Sequence, residues 1–220
     1  ISGEPVFDAS GTLTGYRGVG NDATAEVVLR QRLRMQHDVT RILSSHSEVP
    51  AAMAAVLETI CRTMEWRWGA HRRIELASGQ LSCNAWWLAP GVNAQRFVAA
   101  TLAQKTLNPK GGQIGRVLAT REVHWLPDYP REGGRRGAEI IESGMRGGVF
   151  VPIRRSTGVS DILEFFSERV ESPDQVLLDT LDAIGREIGQ FFDRREAERI
   201  SDTLERERSH LLERLQLQLE

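Results

Sequence analysis

The chain has 220 residues, of which 40% are hydrophobic and 26% charged, a composition typical of a globular protein long enough to bury a full core. A formal net charge of −2 and a pI near 6.3 argue against the basic surface that binds nucleic acid. The apolar runs are too short to cross a bilayer, and Cys61 and Cys83 lack the spacing of a disulfide framework or a metal site. Because the sequence starts at Ile1 and shows no signal peptide, we expect a cytoplasmic segment of a longer protein.

Residues 1–25 predict an isolated β-hairpin. Pro5–Phe7 and Leu13–Val19 have the composition of two strands, and turn-forming residues join them. The run GYRGV at Gly15–Val19, followed by Asp-Ala-Thr at 22–24, resembles the last strand and the C-terminal junction of a PAS domain. That resemblance implies that residues 1–25 are the end of a PAS domain whose remainder lies upstream.

The next segment, residues 26–49, predicts a linker that is helical to Ser45. Its apolar residues are spaced as on one helix face, and among them Leu29 and Leu33 are candidates for a dimer interface. Pro50 marks the start of a second helix, because proline is favoured in the first turn.

Alternating helices and strands are predicted between this break and residue 166, which indicates an α+β fold. In the strand 80–88, strict alternation would place Trp87 and Leu81 on one face and Trp86 on the other. The predicted helices are 51–64, 94–106, 114–119 and 138–143, and the predicted strands are 66–76, 80–88, 123–126, 147–154 and 160–166.

Three segments of this region resemble the GAF domain. Gly112–Asp128 follows the glycine-rich middle of the family, and Gly144–Ile153 follows its glycine turn and strand ending in Pro-Ile. Ile162–Arg195 resembles the LEFFS…IG…IGQF…R subgroup that lies between PAS and output domains in bacterial sensors. The resemblance implies a GAF domain at 50–194, an α/β sandwich with an antiparallel sheet covered by helices.

By this resemblance the chain is a non-catalytic sensory domain of a bacterial signal-transduction protein. It would relay a signal to a downstream output domain, either a GGDEF/EAL module of cyclic di-GMP signalling or the histidine kinase of a two-component system. Two alternatives remain open. The domain could be a redox enzyme similar to methionine sulfoxide reductase, or a dimerising spacer without a ligand.

The resemblance also indicates where a ligand would lie, since GAF ligands sit between the sheet and the segments that cover it. No catalytic residue, metal site or cofactor is identified, and neither a bilin nor a haem is expected. Glu164 in an apolar strand is expected either to pair with Arg116, Arg154 or another arginine, or to contact the ligand. The tentative ligand-binding residues are Trp86, Trp87, His124, Trp125, Asp128, Phe150 and Glu164.

The C-terminal segment predicts one long helix, opening with Ser172 as the N-cap and Pro173 as the first helical residue. From Pro173 to Leu219 such a helix would be roughly 70 Å long, about twice the width of a compact domain. Residues 195–220 should therefore project as a signalling helix that pairs in a coiled coil, which makes the chain a homodimer. The apolar residues proposed for that interface are Leu204, Leu211 and Leu215.

Overall fold

The computed structural model describes residues 2–19, 24–106, 111–131, 136–172 and 174–218. The chain divides into two compact units, Ile1–Arg34 and Met35–Glu220. Among the described residues no helix is long and apolar enough to pass through a membrane.

The first unit contains a two-stranded antiparallel hairpin, as the sequence predicts. Strand β1 (Ser2–Phe7) pairs with β2 (Leu13–Val19), and helix α1 (Thr24–Ser45) begins after them. The turn is held by the Asp8 carboxylate, which accepts hydrogen bonds of 2.9 Å from the backbone amides of Ser10 and Thr12. The Ser10 hydroxyl donates to the same carboxylate oxygen, and this bond, together with the backbone bonds, lowers the pKa of Asp8.

The second unit is built on a five-stranded antiparallel sheet in the order β4-β3-β7-β6-β5, which confirms the predicted α+β class. Helices cover both sides of the sheet. Its elements are α2 (Val49–Met64), β3 (Trp68–Glu75), β4 (Gln80–Leu88), α3 (Gln95–Ala103), α4 (Gly112–Thr120), β5 (His124–Leu126), α5 (Gly137–Glu142), β6 (Gly147–Arg155), β7 (Gly158–Ser167) and α6 (Gln175–Gln218).

One side of the sheet, here called the long-helix face, is covered by α2 and the first half of α6, and the second half of α1 packs into the same core. Three residues of α1, Met35, Val39 and Leu43, are buried in this core, so part of the predicted linker helix packs into the domain. Helix α6 contributes Leu181, Ile184 and other apolar residues at helical spacing.

Two glycines let α6 lie directly on β6. A Cβ atom at Gly185 would overlap the carbonyl oxygen of Pro152, and one at Gly189 would overlap the carbonyl oxygen of Arg154. Glycines four residues apart lie on the same side of a helix, so these two form a smooth strip facing the strand. The close approach of α6 to the sheet therefore depends on the absence of a side chain at both positions.

The opposite side, here called the short-helix face, carries the second core. Helices α3, α4 and α5 cover it with Phe97, Val117 and Ile140, which pack against Trp68 and Phe166 of the sheet. Its aromatic residues form edge contacts, for example Phe97 with Trp68 at 5.0 Å between ring centroids.

A β-bulge overturns the predicted alternation in β4. His71 pairs with Ala85 but Arg72 pairs with Cys83, so Asn84 is an extra residue on β4. An extra residue shifts every later side chain to the other face. Leu81 and Cys83 therefore share the short-helix face with Leu88, not with Trp87.

The start of α6 also differs from the prediction. Asp174, rather than Ser172, accepts a 2.8 Å hydrogen bond from the backbone amide of Leu177, which is the geometry of an N-cap three residues before its donor. Pro173 lies outside the described residues.

Helix α6 changes character along its length. With 44 residues it is roughly 66 Å long at about 1.5 Å per residue. Its side chains are buried at intervals up to Phe192, and from residue 197 to residue 214 all are exposed. Below, residues 195–218 are called the tail.

Candidate functional site

Five residues of the short-helix face form a straight row across the five strands. Trp86 pairs with Ala70, Ala70 with Glu164, Glu164 with Phe150 and Phe150 with His124. Paired residues on neighbouring strands point to the same side of a sheet. The structure therefore brings four of the seven predicted ligand-binding residues, Trp86, His124, Phe150 and Glu164, onto one face.

Glu164 is the centre of this row and of a buried charge cluster. Its carboxylate accepts two hydrogen bonds from Arg136, Nη1 to Oε1 at 3.0 Å and Nη2 to Oε2 at 2.8 Å, in a bidentate pair. Arg72 Nη1 donates a third bond to Oε1 at 3.3 Å. Glu164 and Arg72 are 0% exposed and Arg136 is 7% exposed.

The two arginines have further partners, one on α3 and one immediately after it. Arg136 Nη1 donates to Thr101 Oγ1 at 2.7 Å, and Arg72 Nη2 donates to Gln104 Oε1 at 3.3 Å. The Arg136 guanidinium also lies 5.3 Å from the centroid of Phe97, a cation–π contact. These contacts connect Glu164 in the middle of the sheet to the segments that cover it.

Burial and charge act in opposite directions on this carboxylate. Burial alone would raise the pKa of Glu164, but the charges of Arg136 and Arg72 outweigh it and hold that pKa at about 2. Burial alone would lower the pKa of Arg136, but the Glu164 carboxylate raises it by more, so this pKa is raised overall. Among the described residues the cluster holds two guanidinium groups for one carboxylate, and the buried Arg72 Nε has no hydrogen-bond partner.

Trp86 forms the exposed end of the row. Its ring is 44% exposed and stacks on Trp68, with 5.5 Å between centroids and 16° between planes. At the other end His124 Nε2 lies 3.5 Å from Arg116 Nη1 of α4. Phe150 is buried between Tyr129 and Phe166.

Trp87 and Trp125 lie on the long-helix face, so the four predicted aromatic residues do not form one wall. Trp87 lies under the guanidinium of Arg62, at 5.9 Å. Trp125 packs edge-on to Trp66, and its Nε1 donates to the carbonyl oxygen of Glu171 at 2.8 Å.

Asp128 forms an ion pair with Arg146, whose Nη2 and Nε donate to its two carboxylate oxygens at 2.7 and 3.1 Å. The hydrogen bonds from Arg146 lower the pKa of Asp128.

The partners of Glu164 are Arg72 and Arg136, and neither Arg116 nor Arg154, the two arginines named from the sequence, contacts it. Arg116 lies beside His124, and Arg154 contacts Asp182 and the carbonyl oxygen of Arg121. Arg72 could have been identified from the sequence, because it is the one charged residue among the alternate apolar positions of its strand. Arg136 could not have been, because it follows a Gly- and Arg-rich stretch of sequence and its pairing with Glu164 is a tertiary contact.

The two cysteines are placed apart and are poorly suited to redox chemistry. Cys61 belongs to the core of the long-helix face, whereas Cys83 packs against the core of the short-helix face. Burial raises the pKa of both thiols, that of Cys83 to about 11. A thiol is nucleophilic only as the thiolate, so neither group is activated.

Comparison with known proteins gives a fold but no close relative. No family model matches the sequence, and no curated protein matches it. Among solved structures, the GAF domain of a phosphoenolpyruvate-protein phosphotransferase from Coxiella burnetii is 15% identical with a TM-score of 0.61, over 77% of this chain and 96% of that one.

Two further similar structures differ in described function. The free methionine-R-sulfoxide reductase of Neisseria meningitidis, solved with its substrate, is 13% identical with a TM-score of 0.60, over 83% of this chain and 97% of that one. The GAF domain of a protein described as a sensor histidine kinase from Pseudomonas syringae pv. tomato is 16% identical with a TM-score of 0.56, over 84% and 99%. At these identities the likeness establishes architecture alone, and on that ground the chain has the fold of a GAF domain.

Proposed function

We propose that the chain is a sensory domain of a bacterial signalling protein that acts as a homodimer and contains no catalytic site of its own. The observation that carries the proposal is the continuity of α6. One helix supplies a large part of the core up to Phe192 and then leaves the domain without a break. A change in the domain that tilts or rotates its first half must move the tail as well.

The ligand site belongs on the short-helix face, against Trp86 and the Glu164 cluster. Trp86 offers a partly exposed ring on which a flat group can stack, and Arg72 offers an unpaired buried donor. The proposed site also includes Asp128, which is paired with Arg146, and His124, which lies beside α4. The cluster connects α3, β3 and β7. A ligand that shifts Arg136 would therefore also change the packing of these three elements.

The dimer is proposed to form through the tail and the exposed part of α1. Leu29, Leu33, Leu204 and Leu211 are 48–60% exposed, and water-exposed leucines at helical spacing favour pairing with a second copy. The side chain of Leu215, the remaining predicted interface residue, lies outside the described side chains. In the full protein this dimer would connect a PAS domain before the chain to an output domain after it.

The redox alternative is disfavoured by the placement of the cysteines. A disulfide cycle needs two thiols within reach of each other and at least one reactive thiolate. Cys61 and Cys83 lie on opposite sides of the sheet and both have raised pKa values.

Cysteine cross-linking tests the parallel dimer that the relay requires. In a parallel pair, equal positions on the seam of both chains lie close together, so Leu204→Cys should form an interchain disulfide under mild oxidation. Asp202→Cys is the matched control, because two residues along a helix point to nearly opposite sides. Cys61 and Cys83 should not form cross-links, because burial raises the pKa of both thiols and so suppresses the reactive thiolates.

The expected result is a dimer band on a non-reducing gel for Leu204→Cys at a rate at least tenfold above that of Asp202→Cys. Equal rates for the two variants, or no dimer from either, would contradict the proposed seam.

A further inference from the structure

A cavity lies on the opposite side of the sheet from the Glu164 cluster, where α6 leaves the domain. We call it the arginine groove. It is bordered by His71 and Arg73 of β3, Arg155 of β6, and Arg195 and Arg199 of α6, and its volume is about 810 Å³. Sites of this size accept small organic ligands.

The floor of the groove contains a buried histidine with an unused nitrogen. His71 is 2% exposed, and its Nε2 lies 2.8 Å from Asp161 Oδ1. Asp161 is itself fixed by Ser160, whose hydroxyl donates to Oδ2 at 2.8 Å. The other ring nitrogen, Nδ1, is buried and has no hydrogen-bond partner. A buried polar atom without a partner is costly, and the imidazole borders the groove, so a group in the groove would satisfy it.

The walls of the groove are rich in guanidinium groups that retain free donors. Arg155 pairs with Asp193 at 2.9 Å, and Arg199 pairs with Glu196 at 2.8 Å. Such pairs hold each side chain in position, yet a guanidinium has five N–H donors and these contacts use only some of them. Arg73 forms no ion pair with a carboxylate among the described residues. The pKa of Glu196 is lowered chiefly by its hydrogen bond from Arg199, and the charge of Arg73 adds a smaller contribution.

Arg195 adds to the same wall. Its Nη1 donates to Glu198 at 2.6 Å and its Nη2 to the backbone carbonyl of His46 at 2.8 Å, while its buried Nε has no partner. Only one carboxylate, Glu196, lines the groove, against four arginines. An array of guanidinium donors with few acceptors matches an anion with several oxygens.

From this geometry we infer that the arginine groove binds a phosphate group, held between arginines of the sheet and arginines of α6, with His71 Nδ1 accepting a hydrogen bond from a phosphate hydroxyl. Phe192, Val49 and Pro50 form an apolar wall beside it, which suits an organic phosphate. Because Arg73 and Arg155 stand on the sheet and Arg195 and Arg199 on α6, a bound phosphate would fix the direction in which the tail leaves. This regulatory consequence, but not the binding itself, rests on the proposed function.

The test is calorimetric titration of the full chain with inorganic phosphate and, separately, with AMP as an organic phosphate. The variant Arg73→Ala/Arg199→Ala removes two exposed groove arginines without opening the core. Its matched control, Arg62→Ala/Arg206→Ala, removes the same charge from exposed positions outside the groove.

We expect the groove variant to bind phosphate at least tenfold more weakly than the wild type and the control to bind within twofold of it. Tighter binding of AMP than of inorganic phosphate would identify an organic phosphate that uses the apolar wall, and equal binding would identify the free anion. Failure of the wild-type chain to bind either probe at millimolar concentration, or equal weakening in both variants, would overturn the proposal. As a second measurement, the ¹⁵N shift of His71 Nδ1 should change on saturation with phosphate, and an unchanged shift would remove His71 from the site.

Discussion

Gly189→Ala is expected to lower the melting temperature of the chain by on the order of 10 °C. The added Cβ would overlap the carbonyl oxygen of Arg154, and backbone atoms cannot rotate away as a side chain can. Either α6 must move off β6 or the sheet must bend, and overpacking of this kind costs about 3 kcal/mol or more. For a domain of this size each kcal/mol corresponds to about 2–4 °C, and thermal unfolding followed by circular dichroism measures the change.

The control for this prediction is Gly137→Ala at the start of α5. A Cβ there would meet nothing within 4 Å, and alanine is the better helix former by about 1 kcal/mol. Its melting temperature should be unchanged or slightly higher. Were the two variants to unfold at the same temperature, the close packing of α6 on β6 would not be the contact that holds the helix.

Glu164→Gln is expected to destabilise the domain by about 3–5 kcal/mol, because it leaves Arg72 and Arg136 buried without their counter-charge. The matched control is Glu142→Gln. Glu142 forms a 3.0 Å ion pair with Arg96 on the surface, where such pairs contribute less than about 1 kcal/mol. Denaturant unfolding of the two variants measures both values, and near-equal costs would show that the Glu164 cluster is not a structural pair.

The same carboxylate predicts the direction of the pH dependence. Its pKa is about 2 in the folded chain against an ordinary value of 4.5 for an exposed glutamate, so the folded state binds the proton less readily than the unfolded state. The stabilisation, roughly 3 kcal/mol, is therefore complete above about pH 4.5 and is lost as the pH falls toward 2. The stability difference between the wild type and Glu164→Gln should narrow over that range, and a constant difference would contradict the assigned pKa.

Much of the fold was predictable because its elements carry strong local signals. The apolar spacing along α6, the glycine turns and the short alternating strands each define an element without reference to the rest of the chain. The predictions fail where a tertiary contact determines a residue's partner, or where one extra residue in a strand determines the face on which a side chain lies. The bulge at Asn84 leaves no composition signal, yet it places Trp87 on the face opposite Leu81 and Cys83.

The candidate site was predictable only in part for the same reason. Glu164 was conspicuous as a carboxylate in an apolar strand, and the need for a buried counter-charge follows from elementary electrostatics. The identity of that partner depends on a tertiary contact, since 28 residues separate Glu164 from Arg136. The arginine groove was not predicted at all, because its walls come from two strands and a helix far apart in sequence.

Helix α6 serves as core in its first half, and we propose that its tail is the dimer interface. Sedimentation velocity of the full chain, and of a chain ended after residue 196, tests this division of the helix. We predict a dimer for the full chain and a folded monomer with an unchanged near-ultraviolet spectrum for the shortened one, since the side chains from residue 197 to residue 214 are all exposed. A full chain that stays monomeric at high micromolar concentration, or a shortened chain that remains a dimer, would contradict the account.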